Sequence, residues 1–408
     1  MASLRNLSYM SHCGSPQHRA TPRRRPCRQL STMSIPTGNR PNRQPRVTIL
    51  DVAAKAGVHV STASRALNPK AEHRISGKMV RKIELIAEQL GYSPNPLATS
   101  LRTQRTGTVG LVVPNLSDPL FAPIIAAAQE RVAEDDFVTF VASSDYKPEK
   151  LLSIIEIMSR RHVAGLMVAS FDIKDPAADL CLKLGIPTVA VLRDPRHAEL
   201  SSVTMDDEKG VRALVEHVLD LGHRRIAYIT APLAASTAHN RLAGFMAGTK
   251  LAKAAHCQFD VIEADAYHVE EGERIMKRLI ADGMRWTAFL CFNDLLAVGA
   301  LVALKAAGIA CPDEISVTGV NDLPFMGLLS PPLTSLHNAG RKIGSQGAEL
   351  LLDLIENGHA PTRHVLFSSH VVVRGSTGPA PSRPVQDRDR SAKAARRQPA
   401  VRARPRPP

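Results

Sequence analysis

Four residues near the N-terminus share one side of a short predicted helix and have the chemistry to read a nucleic acid. The stretch from Thr48 to Asn68 reads TILDVAAKAGVHVSTASRALN. Thr48 and Asp51 have capping-box spacing, with a carboxylate at the third helical position able to accept from exposed backbone N–H groups. Ile49, Val52, Ala53 and Ala56 then line one helix face, and Gly57 stands where the chain must turn. In a second helix, about Val60–Leu67, Ala63, Ala66 and Leu67 point inward, with Val58 leading in. Val60, Ser61, Ser64 and Arg65 fall on the other side. Such a ridge suits a major groove: the guanidinium bonds phosphate or guanine, the hydroxyls bond either, and valine touches a thymine methyl. A third helix, roughly Ser76–Leu90, turns Val80, Ile83, Ile86, Ala87 and Leu90 inward, and Gly91 can end it. Three such helices closing one core make a DNA-binding headpiece. By periodicity alone, an ordinary helical hairpin fits equally well.

Other chemistry leaves little trace. The chain has no GxGxxG, phosphate loop, HExxH or GxSxG. His217 and His223 are poorly spaced for one metal. The six cysteines, at 13, 27, 181, 257, 291 and 311, form no CxxC pair, which fits a reduced, cytosolic protein. The sequence therefore predicts no enzyme, no cofactor and no metal. A ligand-binding module without DNA function, or an α/β enzyme with an unrecognised site, are the rival classes.

The elements that must position these residues follow from charge and pattern. The net charge of +14 is uneven: residues 1–46 carry nine Arg and no acid, residues 47–106 carry +5, residues 107–378 carry −7 and residues 379–408 carry +7. A small basic domain beside a large acidic one suggests that only the former meets a polyanion. No apolar run of membrane-spanning length occurs, and residues 1–33 lack the apolar segment of a secretory signal. Met33 or another internal methionine fits as the start. From about 108 to 373, apolar runs alternate with amphipathic stretches such as Val211–Leu221 and Leu295–Ala307. The runs are Thr108–Val113, Phe137–Ala142, Ala164–Ala169, Pro187–Leu192, Arg225–Thr230, Thr287–Phe292 and Ile315–Val320. Continuous apolar strands between helices read as parallel sheets covered on both faces, and their number predicts two α/β lobes.

The stretch from Thr48 to Asn68 resembles the headpiece of the lactose/galactose-repressor (LacI) family, whose pattern runs close to T-x-x-D-V-A-x-x-A-G-V-S-x-x-T-V-S-R-x-L-N. Thr48, Asp51, Val52, Ala53, Ala56, Gly57, Val58, Thr62, Ser64, Arg65, Leu67 and Asn68 match it. His59 stands where a serine cap is usual, which predicts a weaker cap on the second helix. Ala63 replaces the usual valine. The resemblance implies DNA contacts from Thr48, Val60, Ser61, Thr62, Ser64, Arg65 and Asn68. It also implies that Asn95-Pro96-Leu97-Ala98-Thr99-Ser100-Leu101 forms a hinge helix that pairs across a dimer and places Ala98 and Leu101 in the minor groove.

The resemblance continues through GTVGLVVPNLSDPLF (107–121), LGHRRIAYI (221–229), RLAGF (241–245), PPLTSL (331–336) and VVRGST (372–377). It implies an all-α helix-turn-helix headpiece joined to an α/β, two-lobed, periplasmic-binding-protein-like sensor domain with parallel sheets. The expected domains are a disordered basic extension over 1–45, the headpiece over 46–92, hinge and linker over 93–106, sensor and dimerisation domain over 107–376, and a disordered tail over 377–408. Effector contacts are expected from Phe121, Arg193, Arg241, Asn293 and Asn321. Asn293 equally suits a helix cap, Arg241 an ion pair, and Phe121 the core. Asn321 and Leu192 sit where acids are frequent in the family, which favours an acidic or less polar effector over a neutral hexose. The expected protein is a cytoplasmic, nucleoid-associated homodimer. It binds a pseudo-palindromic duplex operator, does not enter a membrane, and is switched by a small molecule, a carbohydrate or related metabolite.

Overall fold

The computed structural model describes residues 47–67, 75–92, 106–251, 257–358 and 360–382. Asn68, Ala98 and Leu101, the N-terminal extension and the tail beyond 382 lie outside the described residues. The chain divides into two compact units, Met1–Ser93 and Pro94–Pro408.

The first unit is three helices: α1 (Ile49–Ala56), α2 (Val60–Ala66) and α3 (Gly77–Gln89). Val52, Ala53, Ala56, Ala63, Ala66, Ile83 and Ala87 form its core. Five of these seven are alanines, so the helices can cross closely. Gly57 ends α1 in the left-handed region at φ 72°, a conformation glycine adopts at little cost. The Lys82 ammonium donates to Ala56 O at 3.1 Å, placing a cation at the negative end of α1.

The second unit holds two six-stranded sheets. The first contains β1 (Thr108–Val113), β2 (Val138–Ser143), β3 (Gly165–Val168), β4 (Thr188–Val191), β5 (Ser201–Met205) and β11 (His364–Phe367), in the order β11-β5-β4-β3-β1-β2. The second contains β6 (Arg225–Thr230), β7 (Gln258–Glu263), β8 (Ala288–Cys291), β9 (Ser316–Asn321), β10 (Thr334–His337) and β12 (Val371–Val372), in the order β12-β10-β9-β8-β6-β7. Neighbouring strands are parallel throughout, except that β12 runs antiparallel to β10. The central strands are buried end to end, as in β3, β4 and β8, which is why they read as unbroken apolar runs.

Helices α4 (Phe121–Ala133), α5 (Pro148–Arg160), α6 (Pro176–Lys183) and α11 (Gly340–Asn357) belong to the first lobe. Helices α7 (Asp207–Asp220), α8 (Ser236–Leu251), α9 (Val269–Ala281) and α10 (Asp294–Ala306) belong to the second. The chain passes between lobes after β5, between β10 and α11, and between β11 and β12. Helix pairs meet through glycines. A Cβ on Gly344 of α11 would collide with the Ile124 carbonyl of α4, and one on Gly244 of α8 with the Glu208 carbonyl of α7. Among the described residues no helix is long and apolar enough to cross a membrane.

Candidate functional site

The exposed face of α2 is built by the caps of its own headpiece. The Thr48 amide and hydroxyl both donate to the Asp51 carboxylate, at 2.8 and 2.7 Å, and these bonds hold that carboxyl below its ordinary range. The Thr48 hydroxyl is thus engaged in starting α1. At α2 the structure differs from the weak cap expected of His59. Its Nδ1 accepts the Ser61 N–H at 3.2 Å and lies 2.8 Å from the Ser61 hydroxyl, so a ring nitrogen takes the place of a serine oxygen. Ser61 and Arg65 are exposed, while Val60, Thr62 and Ser64 are half-buried. The Arg65 Nε donates to Ser61 O one turn back, at 3.2 Å. Ala63 and Ala66 face the core, so the polar and apolar sides of α2 separate as the periodicity predicts.

In the second unit the carboxyl ends of strands from both sheets converge on one crevice, the usual place for a ligand in open α/β folds. The loop after β1 supplies Asp118 and Phe121, that after β2 Tyr146, and that after β4 Leu192 and Arg193. From the facing lobe come Tyr267 after β7, Phe292 and Asn293 after β8, Asn321 at the end of β9, and Thr237 and Arg241 from α8. All five effector residues expected from the sequence meet here. The crevice itself is nearly shut, with a free volume of about 20 Å³. A larger cavity of about 230 Å³ adjoins it and shares Tyr146, Arg193 and Tyr267.

The five residues are not equally available to a ligand. Arg241 is 2% exposed. Its Nε donates to Asp207 at 2.8 Å, one terminal nitrogen to Phe292 O at 2.8 Å, and the other to Asn321 Oδ1 at 3.2 Å. Its guanidinium also lies 4.6 Å from the centre of the Phe292 ring. Burial pushes the Asp207 carboxyl up, and Arg241 opposes this. Asn293 caps α10, accepting the Leu296 N–H at 2.8 Å and donating to Tyr267 O at 2.9 Å. Phe121 opens α4 and is 2% exposed. Asn321 has φ 113°, a strained setting of the kind found at ligand sites.

Arg193 is different. It is 7% exposed, its nearest carboxylate oxygen, on Asp172, is 3.7 Å away, and its guanidinium sits 5.6 Å from the ring centres of both Tyr146 and Tyr267. Those rings, from opposite lobes, stack at 4.9 Å and 19°. Tyr146 and the preceding Asp145 both have positive φ, at 57° and 52°.

Sequence reasoning missed Tyr146, Tyr267, Asp118 and Thr237. Tyr146 and Asp118 each follow a predicted strand, so the strand-end rule could have found them. Tyr267 follows β7, an edge strand whose mixed sequence gave no strand signal. Asp118 is buried with Oδ1 accepting the Leu120 N–H at 2.9 Å, and burial pushes its carboxyl up. Asp294 accepts from the Ser335 hydroxyl at 2.5 Å and from the Leu323 N–H at 2.7 Å. Burial lifts its carboxyl to about 7. Its role is to fix the loop that follows Asn321. Trp286 lies at the amino end of β8, away from the crevice, and donates to Asp260 at 2.7 Å.

Comparison with known proteins bears on both units. Residues 48–95 match the family described as bacterial regulatory proteins, lacI family, and residues 215–377 match a periplasmic binding protein-like domain. The chain is 30% identical over 309 residues to the HTH-type transcriptional repressor PurR of Haemophilus influenzae (strain PittEE), covering 76% of this chain and 91% of that one. Among solved structures it is similar to the lac repressor dimer bound to operator and the anti-inducer ONPF, with a TM-score of 0.74 at 27% identity over 82% of this chain and all of that one. It is also similar to a complex of the transcriptional regulator CelR with cellobiose, with a TM-score of 0.61 at 27% identity over 81% of this chain and all of that one. These proteins are regulators rather than enzymes. The chain belongs to the lacI family of bacterial regulatory proteins and is a DNA-binding transcriptional repressor with a ligand-binding domain.

Proposed function

We propose that the chain works as a homodimer on a pseudo-palindromic operator, in the bacterial cytoplasm at the nucleoid, and that a carbohydrate-like metabolite in the interlobe crevice sets its DNA affinity. The observation that carries the effector reading is the crevice: buried Asp118, Arg193 and Thr237 stand beside the ring faces of Phe121, Tyr146 and Tyr267. Polar groups that fix hydroxyls, with aromatic faces against C–H surfaces, suit a sugar ring. The likeness to the CelR–cellobiose complex supports the same reading. A flat heterocycle such as a purine base is the second reading. The parallel Tyr146–Tyr267 pair and the forked Arg193 favour it, because a guanidinium matches neighbouring carbonyl and ring-nitrogen acceptors.

On the DNA side, the exposed Ser61 and Arg65 with half-buried Val60, Thr62 and Ser64 form the reading ridge. Thr48 is a further contact on this reading, as are Asn68, Ala98 and Leu101, which lie outside the described residues. A dimer fits because a two-fold operator requires a two-fold protein.

The test is selection of bound duplexes from a random pool, followed by titration with sugars and purine bases. A pseudo-palindrome should emerge, with affinity falling with salt at a log–log slope of about −0.9 per neutralised phosphate. One ligand class should shift that affinity. Enrichment of no sequence, with or without ligand, would overturn the reading.

A further inference from the structure

The 230 Å³ cavity beside the crevice has a chemistry of its own. We propose that it is a phosphoryl subsite, holding the phosphate of a phosphorylated metabolite whose body enters the crevice between Tyr146 and Tyr267; this rests on the effector-binding reading above. The first turn of α5 lines one side through Lys147, Pro148 and Leu151. Lys147, at the N-cap, makes no side-chain cap bond. Its ammonium is exposed, whereas the first turn has few N–H groups to give: residue 148 is proline, and the Lys150 and Leu151 N–H groups donate to Lys147 O at 3.1 Å.

Two further groups point the same way. Ser170 lines the cavity at 8% exposure, and its buried hydroxyl has no hydrogen-bond partner. A buried polar group in that state marks a missing partner. Arg193 forms another part of the wall, and its ion pair with Asp172, at 3.7 Å, is too long for a hydrogen bond. An exposed ammonium, a buried guanidinium and an unpaired hydroxyl all offer donors. A phosphoryl group presents three strong acceptor oxygens to such a set.

The cavity's carboxylates are mostly committed elsewhere. Both Asp175 oxygens accept backbone N–H groups, of Asp172 and of Ala177, each at 2.9 Å. Asp265 pairs with Arg274 at 3.0 Å. Asp172 remains, beside Arg193; burial pushes its carboxyl up and the Arg193 charge opposes this.

The test uses the full-length chain in thermal-shift and calorimetric titrations, with chloride-matched buffers. The probes are inorganic phosphate, glucose 6-phosphate and ribose 5-phosphate against glucose, ribose and glucuronate. The variants are Lys147→Ala, Lys147→Arg and Ser170→Ala. Inorganic phosphate at millimolar concentration should raise the melting temperature of the natural chain, and Lys147→Ala should abolish that rise. A phosphorylated probe should bind at least tenfold tighter than its parent, with most of that gain lost in Lys147→Ala and kept in Lys147→Arg. Ser170→Ala should weaken phosphate several-fold. A phosphate response that ignores Lys147, or none at all, would overturn the subsite, as would glucuronate or a parent sugar binding as tightly. Operator selection, run on the same preparation, separates the two failures. A preferred operator without the phosphate response removes only the subsite, and no preferred operator removes the repressor reading itself.

Discussion

Arg241→Ala is expected to destabilise the ligand-binding unit, and not merely to make it insensitive to effector. The guanidinium holds together three points of the second lobe: Asp207 at the start of α7, the Phe292 carbonyl after β8, and Asn321 at the end of β9. The Asp207 side chain is only 4% exposed. Truncation strands that carboxylate in the interior, at a cost of about 3–5 kcal/mol. Against a stability of roughly 5–15 kcal/mol for a folded domain, this is a large fraction. At about 2–4 °C per kcal/mol for a unit of this size, melting should fall by roughly 6–20 °C. Removing both charges, as Arg241→Met with Asp207→Leu, leaves no buried ion. It should recover about 1–3 kcal/mol of the loss, with the remainder due to Phe292 O and the Asn321 amide losing their donor. Urea unfolding of the full-length chain, followed by circular dichroism and Trp286 fluorescence, measures both. A single variant within about 1 kcal/mol of the natural chain, or a double variant less stable than the single, would refute the reasoning.

Three further expectations concern other parts of the molecule. Arg65→Ala should cost roughly 1–3 kcal/mol of operator binding while the headpiece keeps its helical signal; a gel shift showing unchanged affinity would reject Arg65 as a DNA contact. His59→Ala removes the α2 cap and should lower headpiece stability by about 0.5–2 kcal/mol, whereas His59→Ser should restore it. Equal hydrogen exchange of the Val60–Ser64 amides in all three chains would dismiss the imidazole cap. Asp294, at about 7 in the folded protein against 3.8 ordinarily, keeps a proton that the unfolded chain releases between those values. Its contribution to stability therefore falls as pH rises through that window. Asp294→Asn should gain on the natural chain from pH 5 to 8, by up to about 1.4 kcal/mol per pH unit within the window, and parallel melting curves would exclude this.

The headpiece was legible because its core and its exposed ridge lie on one short helix, where a period of 3.6 separates Ala63 and Ala66 from Ser61 and Arg65. The central strands were legible because both their faces are buried, so β1 and β6 begin and end where their apolar runs do. Strand β5 was not, because SSVTM is rich in serine. Ser201 and Ser202 are buried there only because Arg363, His364 and Asp194 receive or supply their hydrogen bonds. Those partners come largely from a segment some 160 residues away, which no local pattern reveals. Edge strands β7 and β11 expose one face and carry mixed sequence. In the crevice, residue type and family resemblance pointed to Arg241, and strand-end position to Asn293. The sequence left open a helix cap for Asn293 and an ion pair for Arg241, and both are found; the identity of Arg241's partners, Asp207, Phe292 O and Asn321, depends on distant neighbours and was invisible.

The same distinction shapes how a ligand can act. A ligand shifts a two-state protein only by binding one state better than the other. The second lobe's Arg241 network lies within that lobe, so lobe motion alone does not break it. The contacts that lobe motion must break lie at the crevice rim: the Tyr146–Tyr267 stack, Ile173 N–H to Ala234 O at 2.8 Å, and Asp194 N–H to the Ser236 hydroxyl at 2.8 Å. A crevice of about 20 Å³ has no room for a sugar or a base. A ligand of that size that enters the crevice itself, rather than the adjoining cavity of about 230 Å³, must part the tyrosines and re-form the rim around itself. On the effector reading proposed above, the differential affinity would be set at Arg193 and the two tyrosine rings, where ligand and lobe closure compete for the same surfaces, rather than at the buried Arg241.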